Sequence, residues 1–120
     1  MSREQNGLSP FAKGATLAST PVETSGLVAC APEAAAFLKA LSHEGRLAIL
    51  CHLAEAERSV TELEQLLGSR QAAVSQQLAR LRLEGLVSTR REGKAIFYAI
   101  QDPKVLRTIQ LLQGIYTEAA

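Results

Sequence analysis

The sequence predicts a mostly α-helical fold with one small β-hairpin, and three observations lead there. Apolar residues recur at helical spacing in successive segments from residue 32 onward. Serines, glycines and one Asp-Pro pair punctuate those segments as helix starts and stops. Before the last segment lie two β-rich runs, Leu86–Arg91 and Ala95–Ile100, around a turn of Glu92, Gly93 and Lys94.

Residues 1–29 are rich in Ser, Thr, Gly and Pro without periodicity, and are expected to form a disordered tail. Residues 30–120 are expected to form one small domain of about five helices plus the hairpin. Pro32 is placed to open a first helix that runs through Ala36, Phe37 and Ala40 to about Leu41. Ser42 is placed to cap a second, roughly His43–Ala56. There Leu47, Leu50, Cys51 and Ala54 repeat at helical spacing, which sets Cys51 on the expected buried stripe. Ser59 and Glu62 have the form of a capping box for a third helix, with Val60, Leu63, Leu66 and Leu67 in period and Gly68 as its stop. Ser69 is placed to cap the next helix, which runs to about Glu84 before Gly85, with Val74, Leu78 and Leu81 as its buried stripe. Asp102 and Pro103 form an N-cap followed by proline at the first helical position. In this last helix Val105, Ile109, Leu112 and Tyr116 share a face, while Leu106 and Leu111 leave a second side apolar. A terminal helix this apolar on a small domain needs another surface to cover it, so a homodimer built on the last and first helices is expected.

Two helices joined by so tight a glycine turn must cross, which is the helix-turn-helix arrangement. The exposed side of the second carries Gln71, Ser75, Gln76, Arg80 and Arg82, with hydrogen-bonding groups early and arginines late. Gln and Ser can address base edges in a major groove, and Arg can hold phosphate or guanine. Arg90, Arg91 and Lys94 then bring positive charge to the hairpin, which makes it a wing. Between Ser69 and Lys94 six basic residues face two acidic ones, whereas between Glu33 and Leu66 six acidic residues outnumber three basic. The chain's net charge of +1 is therefore gathered as cation on the expected DNA face. The residues expected at double-stranded DNA are Ser69, Gln71, Ser75, Gln76, Gln77, Arg80, Arg90, Arg91 and Lys94.

The chain resembles the ArsR/SmtB type of winged-helix transcriptional repressor. The resemblance is carried by Leu38–Leu53 (LKALSHEGRLAILCHL), Ser59–Gly68 (SVTELEQLLG), Gln71–Val87 (QAAVSQQLARLRLEGLV) and Arg91–Ile100 (RREGKAIFYAI), and covers about residues 33–117. It implies a homodimer that binds operator DNA and represses transcription. Within that type the chain is most similar to the thiol-based, sulfur-responsive branch (SqrR/BigR-like). In that branch a cysteine sits where Cys51 stands, and its partner follows the aromatic near the end of the last helix. The partner position aligns here with Thr117, after Ile115 and Tyr116, and threonine cannot form a sulfur bridge. A bridge to the other cysteine, Cys30, and a lone persulfide on Cys51 are the intramolecular routes left, so Cys51 and Cys30 are the candidate sensing thiols, with a reactive sulfur species or oxidant as the expected inducer.

Other readings stand beside this one. Cys51 is equally a small apolar core residue. A metal inducer would need a cluster of N or S donors, which the resemblance places as cysteines around the third helix or as an Asp-x-His pair with further His or Glu on the last helix; here the third helix has no cysteine, and Asp102 is followed by Pro103 and Lys104. No metal and no cofactor is expected. Cys51 and His52 are neighbours in a helix and point about 100° apart, so they make no nucleophile–base pair and no enzyme is expected. A winged-helix protein-interaction module would make the basic face incidental. No apolar run approaches the roughly 18 residues of a membrane span, the first residues lack a signal-peptide h-region, and two cysteines are too few for a disulfide scaffold. These features lead to the expectation of a cytoplasmic protein.

Overall fold

The structure, a computed structural model, describes residues 20–117. The chain falls into two units that divide after Ala34. The expected tail lies outside the described residues up to residue 19. Its last part differs from the expectation, because Ser25–Ala29 form a short helix, α1. The Glu23 carboxylate accepts the Ser25 amide at 3.1 Å, which satisfies one of the amides a helix start leaves open. Every α1 side chain is exposed. Helix α2 follows at Ala31–Leu41, with the division between the units inside it.

The second unit is built on α3 (Glu44–Glu55). Its cap is His43 and not Ser42: the imidazole Nδ1 accepts the amides of Gly45 at 3.0 Å and Arg46 at 3.4 Å. The Ser42 hydroxyl instead donates to the Lys39 carbonyl and finishes α2. The buried residues of α3 are Ile49, Leu50 and Leu53. The inward stripe is thus turned by about one residue from the expected one, and Cys51 is exposed on its shoulder. A run as apolar as LAILCHLA fits two stripes that share Leu50, and only packing partners choose between them.

A two-residue strand, β1 (Arg58–Ser59), then leads into α4 (Val60–Leu67). The capping box is present: the Glu62 amide donates to Ser59 Oγ at 3.2 Å and the Ser59 amide to Glu62 Oε1 at 2.8 Å. Gly68 ends α4 in the left-handed conformation at φ 65°. Ser69 does not cap the next helix. Its amide turns back to the Glu64 carbonyl and helps close α4, so α5 (Gln71–Leu83) starts from Arg70 with no side-chain cap. Val74, Leu78 and Leu81 are buried along α5, as their spacing predicts.

Strands β2 (Val87–Glu92) and β3 (Ala95–Ile100) pair antiparallel through a two-residue connection in which Gly93 takes φ 63°. The short β1 adds to the other edge of β3, placing Arg58 opposite Tyr98 and giving the order β1-β3-β2. The expected hairpin is therefore a three-stranded sheet. Asp102 caps α6 (Pro103–Thr117) by accepting the Lys104 amide at 2.9 Å. Val105 is buried and Ile109 packs on the core, but Tyr116 is 79% exposed where the helix runs on past it. No helix among the described residues is long and apolar enough to cross a membrane.

Leu78 is fully enclosed, so Leu78→Ala should remove about 2–5 kcal/mol of stability. Ser59→Ala, which removes one cap, should cost only about 1 kcal/mol. Urea unfolding followed by circular dichroism gives both numbers, and a larger loss at Ser59 would overturn this ranking.

Candidate nucleic-acid interface

Helices α4 and α5, joined at Gly68, form the helix-turn-helix, and the β2–β3 hairpin follows α5 directly. Burial of Val74, Leu78 and Leu81 turns the opposite side of α5 to solvent. Gln71, Ser75, Gln76, Arg80 and Arg82 are exposed there, with Ser69 and Arg70 exposed in the turn before it. Arg80 pairs with Glu84 at 3.2 Å, an exposed i,i+4 contact of the kind that contributes little to stability.

Two expected DNA residues are otherwise engaged. Gln77 is half-buried, and its amide oxygen accepts from Arg46 Nη1 at 3.3 Å. Its place four residues before the buried Leu81 and three after the buried Val74 draws it inward. Arg90 is held by its own fold: Nε and Nη2 donate to the two Glu57 oxygens at 2.8 Å each, and Nη1 donates to Glu92 at 2.9 Å. The guanidinium also lies 4.7 Å from the centroid of Phe97, its cross-strand neighbour. The pairing holds the Glu57 carboxyl below its usual range and raises the Arg90 pKa further. Arg91 alternates to the other face of the strand. Arg91 and Lys94 make no ion pair among the described residues, and neither do Arg70 and Arg82. Arg70, one of the cations between Ser69 and Lys94, adds an exposed charge that the expected contacts leave out. Nothing local in the sequence signals Glu57, which lies 33 positions before Arg90.

The thiols are set differently. Cys30 belongs to the first unit, where its Sγ lies 3.2 Å from the Gly26 carbonyl. Cys51 opens on a groove of about 150 Å³ between α3 and α6, lined also by Leu47, Ile109, Leu112, Gln113, Tyr116 and Thr117. The position expected to oppose Cys51 thus does share its groove, as threonine. Partial burial raises the Cys51 pKa, and the nearby Glu55 carboxylate raises it further. Both cysteines are free. Among the described residues no three His, Cys, Asp or Glu side chains gather as a metal site.

Residues 43–89 match the family described as "Bacterial regulatory protein, arsR family". The chain is 49% identical to the Biofilm growth-associated repressor of Agrobacterium fabrum, over 72% of this chain and 74% of that protein. It is 40% identical to the Transcriptional activator HlyU of Vibrio cholerae, over 92% of this chain and 97% of the other. The crystal structure of the transcriptional repressor BigR from Xylella fastidiosa superposes with a TM-score of 0.76 at 42% identity, covering 79% of this chain and 97% of that one.

A raised pKa keeps Cys51 as the neutral thiol over more of the pH range. Its alkylation by iodoacetamide should therefore keep accelerating where an ordinary thiol, with a pKa of about 8.5, levels off. Glu55→Gln should speed alkylation at about pH 8. Peptide mass spectrometry over a pH series reads the rate at each cysteine, and an unchanged rate in Glu55→Gln would remove the carboxylate from this account.

Proposed function

The chain belongs to the arsR family of bacterial regulatory proteins and is a DNA-binding transcriptional regulator, and from this we propose that it is a homodimeric repressor released from operator DNA by modification of Cys51. The observation that carries the DNA reading is the exposed polar side of α5, flanked in the preceding turn and on the wing by cations that make no ion pair among the described residues. Helix α5 enters the major groove, with Gln71, Ser75 and Gln76 at base edges and Arg80 on phosphate or guanine. Ser69 and Arg70 meet the backbone where α5 begins. Arg91 and Lys94 hold flanking phosphates, while Arg90 stiffens the hairpin that carries them.

Dimerisation supplies two recognition helices for half-sites about one helical turn apart. Leu111 and Ile115 on α6, 63% and 60% exposed, and Leu38 on α2 offer the apolar surface for it. Relief of repression starts at the accessible thiol in the α3–α6 groove. The Cys51 thiolate attacks the terminal sulfur of a persulfide, the new S–S bond leaves Cys51 as a persulfide, and the donor departs as its thiolate. With Thr117 across the groove no bridge forms there, so the alternatives are a lone persulfide or a link to Cys30.

Titration of a duplex selected by the parent protein from a random pool, against a scrambled duplex, at several salt concentrations, tests the DNA reading. Gln76→Ala should weaken the selected duplex by about 1–3 kcal/mol and leave the scrambled one unchanged. Arg91→Ala should weaken both and flatten the salt slope by about one unit. Binding without salt dependence would favour a protein-interaction module instead.

Cys51→Ser should bind the selected duplex like the parent but stay bound under polysulfide, whereas Cys30→Ser should share that defect only if the two cysteines link. Release of Cys51→Ser as readily as the parent would place the sensor elsewhere.

A further inference from the structure

Helix α5 meets the rest of its unit mainly through Val74, Leu78 and Leu81. Apolar burial is non-directional, so it fixes how closely α5 packs but only loosely how far it is turned about its axis. A directional contact is needed for that. Among the described residues, the side-chain hydrogen bonds joining α5 to another element all meet at Gln77. Its oxygen accepts from Arg46 Nη1 at 3.3 Å, and its Nε2 lies 3.5 Å from Nε2 of His43. Arg46 is not free to follow Gln77. Its Nε donates to the Ala40 carbonyl at 2.7 Å and its Nη2 lies 3.4 Å from the Lys39 carbonyl, both at the C-terminal end of α2. Carbonyls in the last turn of a helix favour a cation, and the Lys39 carbonyl also accepts the Ser42 amide at 3.2 Å and the Ser42 hydroxyl at 3.0 Å. The guanidinium is a rigid planar fork, so its three ends move together.

We propose that Arg46 and Gln77 are positioning residues: the fork between the end of α2 and α5 sets the rotation at which Ser75 and Gln76 face a DNA duplex. This rests on the DNA reading above and gives Gln77 a role other than base contact. One turn of helix carries about 100° per residue. Pinning Gln77 inward therefore fixes the direction of Gln76 beside it and Ser75 before it. The same fork ties that direction to the end of α2.

The test uses the full chain, the selected duplex, the scrambled duplex, and a set of selected duplexes each with one base pair replaced. Gln77→Met should lower the preference for the selected over the scrambled duplex about tenfold. The loss should spread over all the base pairs that Ser75 and Gln76 discriminate, with the salt slope and scrambled-duplex affinity unchanged. Arg46→Lys, which keeps the charge but not the fork, should give the same profile. The double variant should be no worse than the worse single one. Relaxation at one base pair alone in Gln77→Met would make Gln77 a base reader and overturn the proposal. Additive losses of about a hundredfold in the double variant would overturn it too. If Arg46→Lys fails to fold, the base-pair profile of Gln77→Met decides. A parent protein with no preference between the duplexes overturns the DNA reading beneath, and is told apart from these outcomes before any variant is made.

Discussion

Enclosure of Leu50 is the constraint on which the second unit depends. It is fully buried near the middle of α3, the helix that α4, α5, α6 and β3 all contact. Ile49 and Leu53 extend the same inward edge. With that edge committed, the remaining sides of α3 are assigned as well. Arg46 lies where α2 ends and α5 passes, and Leu47 and Cys51 lie against the end of α6. One helix thereby supplies the core, the polar tie to the recognition helix and the wall of the thiol groove.

Local signals in the sequence were legible because their physics is local. The Ser59–Glu62 box, the turn at Gly68, the stop at Gly85 and the Asp102 cap each involve residues within a few positions of one another. The stripe of α5 was legible because polar residues border it on both sides. In α3 apolar residues fill too much of the helix circumference for a unique stripe, so the spacing points Cys51 inward although the structure exposes it. The cap of α3 is hidden in the sequence because histidine is not among the usual capping side chains, although its Nδ1 accepts two amides here.

The candidate DNA face was legible as a region and less so residue by residue. Composition identifies a cationic segment, but not which cations are already paired. Arg90 and Arg91 look alike in sequence. Their alternation across β2 sends one toward Phe97 and the acids and the other away. Gln76 and Gln77 are likewise adjacent and differ only in the side of α5 they occupy. In both pairs the distinction comes from partners more than 30 positions away, Glu57 for one and Arg46 for the other.

Thr117 beside Cys51 limits what any reagent can do in the groove between α3 and α6. Two sulfurs facing each other across it would be a tether, shortening the distance between helices and removing chain entropy. A group added to a lone sulfur facing a hydroxyl would act there as a wedge. Each atom added to Cys51 takes up space in a groove of about 150 Å³, against a packed core that yields little. The mechanical sign would be opposite: modification of Cys51 alone would push such a groove apart, and reduction would restore it by making the side chain small again.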